Sequence, residues 1–183
     1  MTEEWPKIRA RHITKVSPWI DLIARDVEFS PGAPLQTYHA VGQLDYLAIV
    51  ACTPDGRIPI VRQFRPAVEA FTWELPAGLV EPSEAPADSA RRELLEETGY
   101  PARAIHPLGI AAACTGRLSN HIHSFFVETG ERAASYTPEA GLSVKLVSPT
   151  ELLALIEAGA FVHQLHLGAL FLAQNKSFLK LTR

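Results

Sequence analysis

Cysteine is scarce in this chain. Only two of its 183 residues are cysteine, Cys52 and Cys114, far apart and in no C-x-x-C pair. That argues against a disulfide framework and against a zinc site built on thiolates, and points to reduced thiols in the cytoplasm. Long apolar runs are also missing. No window approaches the roughly 18 uninterrupted apolar residues of a transmembrane helix. The first residues, Met1-Thr2-Glu3-Glu4-Trp5-Pro6-Lys7, are acidic and lack the apolar core of a secretory signal. There is no excess of positive charge either: 17 Lys and Arg against 20 Asp and Glu give a net charge of −3. With the basic residues dispersed, nucleic-acid binding by phosphate neutralisation is not favoured. What is present is ordinary for one globular domain with a sizeable core: 47% hydrophobic and 20% charged residues.

Along the chain, residues 1–18 read as a polar arm. Trp19 to Phe29 reads as a strand, followed by a turn at Ser30-Pro31-Gly32-Ala33-Pro34. Tyr46–Cys52 and Arg57–Phe64 are apolar runs joined by Thr53-Pro54-Asp55-Gly56, which predicts a hairpin. Phe71–Leu75 is a short strand stopped by Pro76. The period then changes. Pro86–Thr98 carries Pro in its first turn, Ala87, Ala90 and Leu94 on one side, and Gly99 as a stop, which predicts a helix. Leu108–Cys114, Ile122–Glu128 and Leu142–Val147 read as strands. Ser148-Pro149-Thr150-Glu151 is a capping box that opens a helix ending near Gly159, and a last helix runs from about Val162 to Asn175. Several strands, a helix, more strands and two helices make a mixed α/β (α+β) fold rather than a doubly wound one.

The informative stretch is 78–100. Glu93, Glu96 and Glu97 are helical neighbours at i, i+3 and i+4, within an arc of roughly 100°. Like charges at those spacings cost about 0.2–0.5 kcal/mol per pair, and the C-terminal end of a helix disfavours anions. A cation offsets both costs, and three hard oxygen donors suit Mg²⁺ or Mn²⁺. Taken alone, the same residues read equally as a solvated acidic face beside Arg91 and Arg92.

The wider pattern resembles the box of the Nudix family, G-x5-E-x7-R-E-U-x-E-E-x-G-U. Gly78, Glu84, Arg92, Glu93, Leu94, Glu96, Glu97 and Gly99 all fall in register, and Tyr100 stands where an aliphatic residue is usual. The resemblance implies an α/β/α sandwich around a central mixed sheet, and cleavage of a diphosphate linkage with a divalent metal. It implies Glu93 and Glu97 as principal metal ligands, Glu96 as a further ligand or a catalytic group, and the carbonyl of Ala77 as another ligand. Arg92 and Glu84 would orient the carboxylates, and Gly78 would permit a tight turn. The general base would come from a loop after the box, where Glu139 is the candidate, with Glu128, Glu131 and Glu96 as alternatives.

Outside the box, Val61-Arg62-Gln63-Phe64-Arg65-Pro66, Trp73-Glu74-Leu75-Pro76-Ala77-Gly78 and Thr115-Gly116-Arg117-Leu118-Ser119-Asn120 resemble the ADP-ribose and nucleoside-diphosphate-sugar branch. This implies a nucleoside diphosphate sugar as substrate, bound through Arg65, Arg117 and Glu74, with Trp19 or Tyr46 stacking on a base. A proline common in ADP-ribose pyrophosphatases about fifteen residues past the box has no counterpart around Cys114-Thr115-Gly116, which leaves room for other sugars. By the same analogy, residues 1–42 form an arm and β extension that serves a homodimer, and 43–183 the hydrolase domain. His121 and His123 share a strand face, and His163 and His166 lie at i, i+3; all four read as packing residues. The competing readings are a nucleotide-sugar sensor that does not hydrolyse, disfavoured because every box carboxylate is kept, and an enzyme acting on nucleoside triphosphates or capped RNA.

Overall fold

The computed structural model describes residues 4–182, and residues 1–3 of the expected polar arm lie outside it. Much of the remaining arm is a strand. β1 (Lys7–Lys15) pairs antiparallel with β2 (Asp21–Glu28), and β2 with β3 (Gln36–Gly42). The sequence KIRARHITK hides this strand because most of both its faces are exposed, so no apolar alternation marks it. Residues 4–44 together with 112–121 form one compact unit, in which Val41 bridges Leu118. Residues 45–111 and those from 122 onward form a second.

The second unit begins with β4 (Tyr46–Cys52) and β5 (Ile58–Arg65). A 3-10 turn at Pro66–Val68 precedes β6 (Ala70–Glu74) and the short β7 (Ala77–Leu79). Then come α1 (Pro86–Thr98), β8 (Ala102–Ala112), β9 (His121–Thr129), β10 (Ser143–Val147), α2 (Pro149–Glu157) and α3 (Gln164–Asn175). One sheet has the order β7-β4-β9-β8, with β4 and β9 parallel; another has the order β10-β5-β6. The expected hairpin at 53–56 is therefore a corner instead. The turn closes as foreseen, Thr53 N–H donating to Arg57 O at 2.8 Å, but β4 and β5 enter different sheets. Both edges of β4 are taken by β7 and β9, and both edges of β5 by β10 and β6. Strand β8 also starts earlier than Leu108. Its Pro107 obscured the run, yet proline is tolerated there because β8 is an edge strand.

The unbroken apolar run of β4, YLAIVAC, has its reason in the packing. Leu47, Ile49 and Ala51 face Ala90 and Leu94 of α1. The alternate residues Ala48 and Val50 belong to a second core with Leu152 of α2 and Ala169, Leu170 and Ala173 of α3. A strand covered on both faces shows no polar alternation. Each fully buried leucine or isoleucine contributes about 1.5–3 kcal/mol. Helices thus cover both faces of the strand layer, and the fold is mixed α/β as expected. No helix among the described residues is long and apolar enough to cross a membrane.

Candidate metal and diphosphate site

Helix α1 starts where Pro86 presets the first turn and stops at Gly99, whose φ of 76° places it in the left-handed region. Its buried face, Ser89, Ala90, Leu94 and Thr98, packs on the sheet. Glu93 and Glu97 flank that face and are drawn partly under it, whereas Glu96 is half exposed. One guanidinium ties the box together. Arg92 donates through Nη1 to Glu93 at 2.9 Å and to Glu96 at 3.0 Å, and through Nε and Nη2 to Glu84 at 3.1–3.2 Å. Glu84 also accepts from Ser89 Oγ at 2.7 Å. The Arg92 and Ser89 bonds hold the Glu84 carboxyl below its usual range.

Strand β7 lies beside this helix. The Ala77 N–H donates to the Glu97 carboxylate at 3.0 Å. Gly78 is needed for a close approach more than for a turn: a Cβ there would overlap the Glu93 carboxyl group. Burial, and then the charge of Glu93, push Glu97 up to about 8, against the Ala77 bond and the positive Arg65, which lower it. Burial likewise raises Glu93, although Arg92 opposes it. Two half-buried carboxylates of raised pKa are a poor arrangement for a metal-free protein and a good one for a cation. The donors present are of the hard oxygen type that suits a divalent cation: the carboxylates of Glu93, Glu96 and Glu97 and the Ala77 carbonyl, with Gly78 leaving room for the Glu93 carboxyl against β7.

Arg65, at the end of β5, lies in the field of Glu97. It grips Glu74 with two bonds, Nε at 2.9 Å and Nη2 at 2.6 Å, and Thr72 Oγ donates to the same carboxylate at 2.5 Å. Burial alone would raise Glu74, but the Arg65 and Thr72 bonds outweigh it and leave its pKa lowered. Glu74 was expected to touch substrate. It is fully buried with its oxygens engaged, so its contact is with Arg65. Tyr46 is half buried and packs against the core.

Sequence reading gave His163 and His166 no role, and the structure puts both beside Glu74. One ligand-type atom from each of the three lies within 4.8 Å of the others. The imidazoles are stacked, with centroids 3.8 Å apart and 13° between planes, so their in-plane lone pairs do not converge on one point. The Leu75 N–H donates to His166 Nδ1 at 3.2 Å. Burial, then the neighbouring His163, push His166 down to about 3, so it is neutral. The i, i+3 spacing was the available signal. It lacked Glu74, 89 residues before His163 in the chain.

The other named residues are elsewhere. Glu139 is exposed in the loop between β9 and β10. Glu128 pairs with His106 at 3.1 Å and lies opposite Cys52. That is four residues along β4 from the partner of Ala77, about 13 Å at roughly 3.3 Å per residue, so it is removed from the cluster. In the first unit, Arg117 lines a cavity of about 750 Å³ with Arg25, Tyr38 and His39. Trp19 is 65% exposed in the β1–β2 turn.

The NUDIX domain model matches residues 44–165. Over 109 residues the chain is 36% identical to an ADP-ribose pyrophosphatase of Bacillus subtilis, covering 60% of this chain and 58% of that protein. Over 81 residues it is 41% identical to an ADP-ribose pyrophosphatase of Mycobacterium tuberculosis, covering 44% and 39%. The chain thus spans well under two thirds of the curated relatives it matches. A crystal structure of an ADP compounds hydrolase superposes with a TM-score of 0.78 at 20% identity, covering 96% of this chain and 95% of that one. A family match running from before β4 through α2, and not over the acidic helix alone, shows that the chain belongs to the Nudix family.

Proposed function

We propose that the protein hydrolyses the diphosphate linkage of a nucleoside diphosphate sugar such as ADP-ribose, with Mg²⁺ or Mn²⁺, releasing a nucleoside monophosphate and a sugar phosphate. The observation that carries this reading is the Glu93–Glu97 pair. Burial raises both carboxyls, and with the charge of Glu93 it pushes Glu97 up to about 8 in the field of the Arg65 guanidinium. When bound, the cation neutralises the diphosphate and stabilises charge on the leaving phosphate. Glu93, Glu96, Glu97 and the Ala77 carbonyl would hold it, and Arg92, itself bonded to Glu84, orients the carboxylates of Glu93 and Glu96.

Glu74 occupies the Nε edge of Arg65, which pre-orients the guanidinium. The remaining N–H groups of Arg65 are available to a phosphate oxygen. Glu139 takes the proton of the attacking water as the water oxygen bonds to phosphorus, and the bond from that phosphorus to the bridging oxygen breaks. Arg117, which lines the cavity of the first unit, and Trp19 and Tyr46 are candidate substrate-binding residues. The first unit exposes Ile13 in β1, Val16 and Trp19 in the β1–β2 turn and Leu35 just before β3, which supports a homodimer formed through that unit. Free Cys52 and Cys114 fit a cytoplasmic protein.

The test is to incubate the protein with Mg²⁺ and ADP-ribose, ADP-glucose, GDP-mannose or nucleoside triphosphates, and to identify the phosphate products. Metal-dependent release of a nucleoside monophosphate from a diphosphate sugar is expected. Tight binding of these compounds without turnover would overturn the reading in favour of a sensor. Light scattering tests the dimer; a monomer at micromolar concentration would refute it.

A further inference from the structure

The last turn of a helix leaves carbonyls without intrahelical partners. Helix α1 has no basic residue in its last turn to meet them. They are met from outside. Tyr136 Oη donates to the Glu97 carbonyl, Arg132 Nε donates to the Thr98 carbonyl at 3.0 Å, and the Ala133 N–H donates to the Gly99 carbonyl at 2.8 Å. The Arg132 guanidinium also lies 4.7 Å from the Tyr136 ring centre and 5.9 Å from that of Tyr100. The Tyr136 ring fills the space in front of Gly99, where a Cβ would overlap it. The glycine that ends the helix is therefore also the seat of this ring.

These contacts dock residues 132–136 onto the helix that carries Glu93, Glu96 and Glu97. Three residues later comes Glu139, whose carbonyl accepts from the Leu142 N–H at 3.0 Å. Strand β10 then begins, and Ser143 pairs with Arg62 of β5. Glu139 thus sits on a loop held at both ends, by the helix terminus and by the sheet. Glu97 is fixed twice, at its carboxylate by Ala77 and at its carbonyl by Tyr136.

We propose that Arg132 and Tyr136 are positioning residues, which clamp the loop carrying Glu139 to the C-terminal carbonyls of the metal-binding helix and so set the base against the carboxylate cluster. This rests on the reading of Glu139 as base given above. The clamp supplies in trans the positive charge that the end of α1 lacks. A loop freed by its loss samples many base positions, and small displacements from attack geometry are costly in rate.

The experiment compares Tyr136→Phe, Tyr136→Ala and Arg132→Lys with the unaltered protein, each also combined with Glu139→Gln. Turnover is expected to fall about tenfold or more in Tyr136→Ala, with KM changed by less than about twofold. Tyr136→Phe, which keeps the ring, and Arg132→Lys, which keeps the charge, should retain intermediate rates. In the Glu139→Gln background the same changes should cost little, because the loop then has no base to place. Hydrogen exchange on metal-free protein is the second readout. Ala133 should be protected in the parent and should lose on the order of tenfold of that protection in Tyr136→Ala. Full turnover in Tyr136→Ala, losses that simply add to Glu139→Gln, or an unprotected Ala133 in the parent would each overturn the proposal. An unimpaired Glu139→Gln would instead remove the base assignment, and the positioning role with it. It is recognisable because Ala133 protection and its loss in Tyr136→Ala persist.

Discussion

Replacing Glu97 by glutamine tests the central electrostatic argument. In metal-free protein the carboxyl has a pKa of about 8, against an ordinary value of 4.5. The folded state therefore binds this proton more tightly than the unfolded chain. The stability so gained is complete below 4.5 and is lost as pH rises from 4.5 to about 8. At about 1.4 kcal/mol per pH unit, keeping this carboxyl protonated while the unfolded chain ionises costs the folded state about 3 kcal/mol at pH 7, and relaxation around it reduces this to about 2. Glutamine does not titrate, keeps the shape, and retains an oxygen to accept from the Ala77 N–H. Melting curves in EDTA should match near pH 4.5. By pH 7–8 the variant should melt about 4–8 °C higher. Saturating Mg²⁺ reverses the order, since a cation at a hundred times its Kd adds about 2.7 kcal/mol to the parent alone. A melting difference in EDTA that does not change with pH, or equal stabilisation of both proteins by Mg²⁺, would refute the reasoning.

Gly78→Ala should fold but push the Glu93 carboxyl aside; turnover should drop on the order of tenfold or more and Mn²⁺ affinity should weaken, as isothermal titration would show. Arg65→Lys leaves the buried Glu74 carboxylate short of one partner, which should cost about 2 kcal/mol in urea unfolding and raise KM more than it lowers kcat. His166→Ala strands the Leu75 N–H and opens a void, a loss of about 2–4 kcal/mol. Because His166 is held at about 3 against an ordinary 6.5, the parent loses stability as pH falls from 6.5 towards 3, and the variant should lack that part of the acid slope.

Local chemistry in the sequence determined a good deal. Helix α1 begins and ends where its proline and glycine require, and the capping box at Ser148 and Glu151 forms as its residues demand. The same-face placement of Glu93, Glu96 and Glu97 follows from helical period alone, and the register from Gly78 to Gly99 disclosed the family. These features depend on neighbours within a few residues, where spacing implies proximity. Tertiary structure decided the rest. Only the pairing of both edges of β4 could turn the Asp55-Gly56 hairpin into a corner between sheets. Only backbone hydrogen bonds, which leave no side-chain pattern, could make a strand of Lys7–Lys15. Glu74 was expected to bind substrate and is buried under Arg65, while His166 reaches Leu75 from 91 residues away. Gly99, which one-dimensional reading takes as a stop, proves also to be the seat of Tyr136. Burial and contacts between distant segments are properties of the packed chain, and no local spacing encodes them.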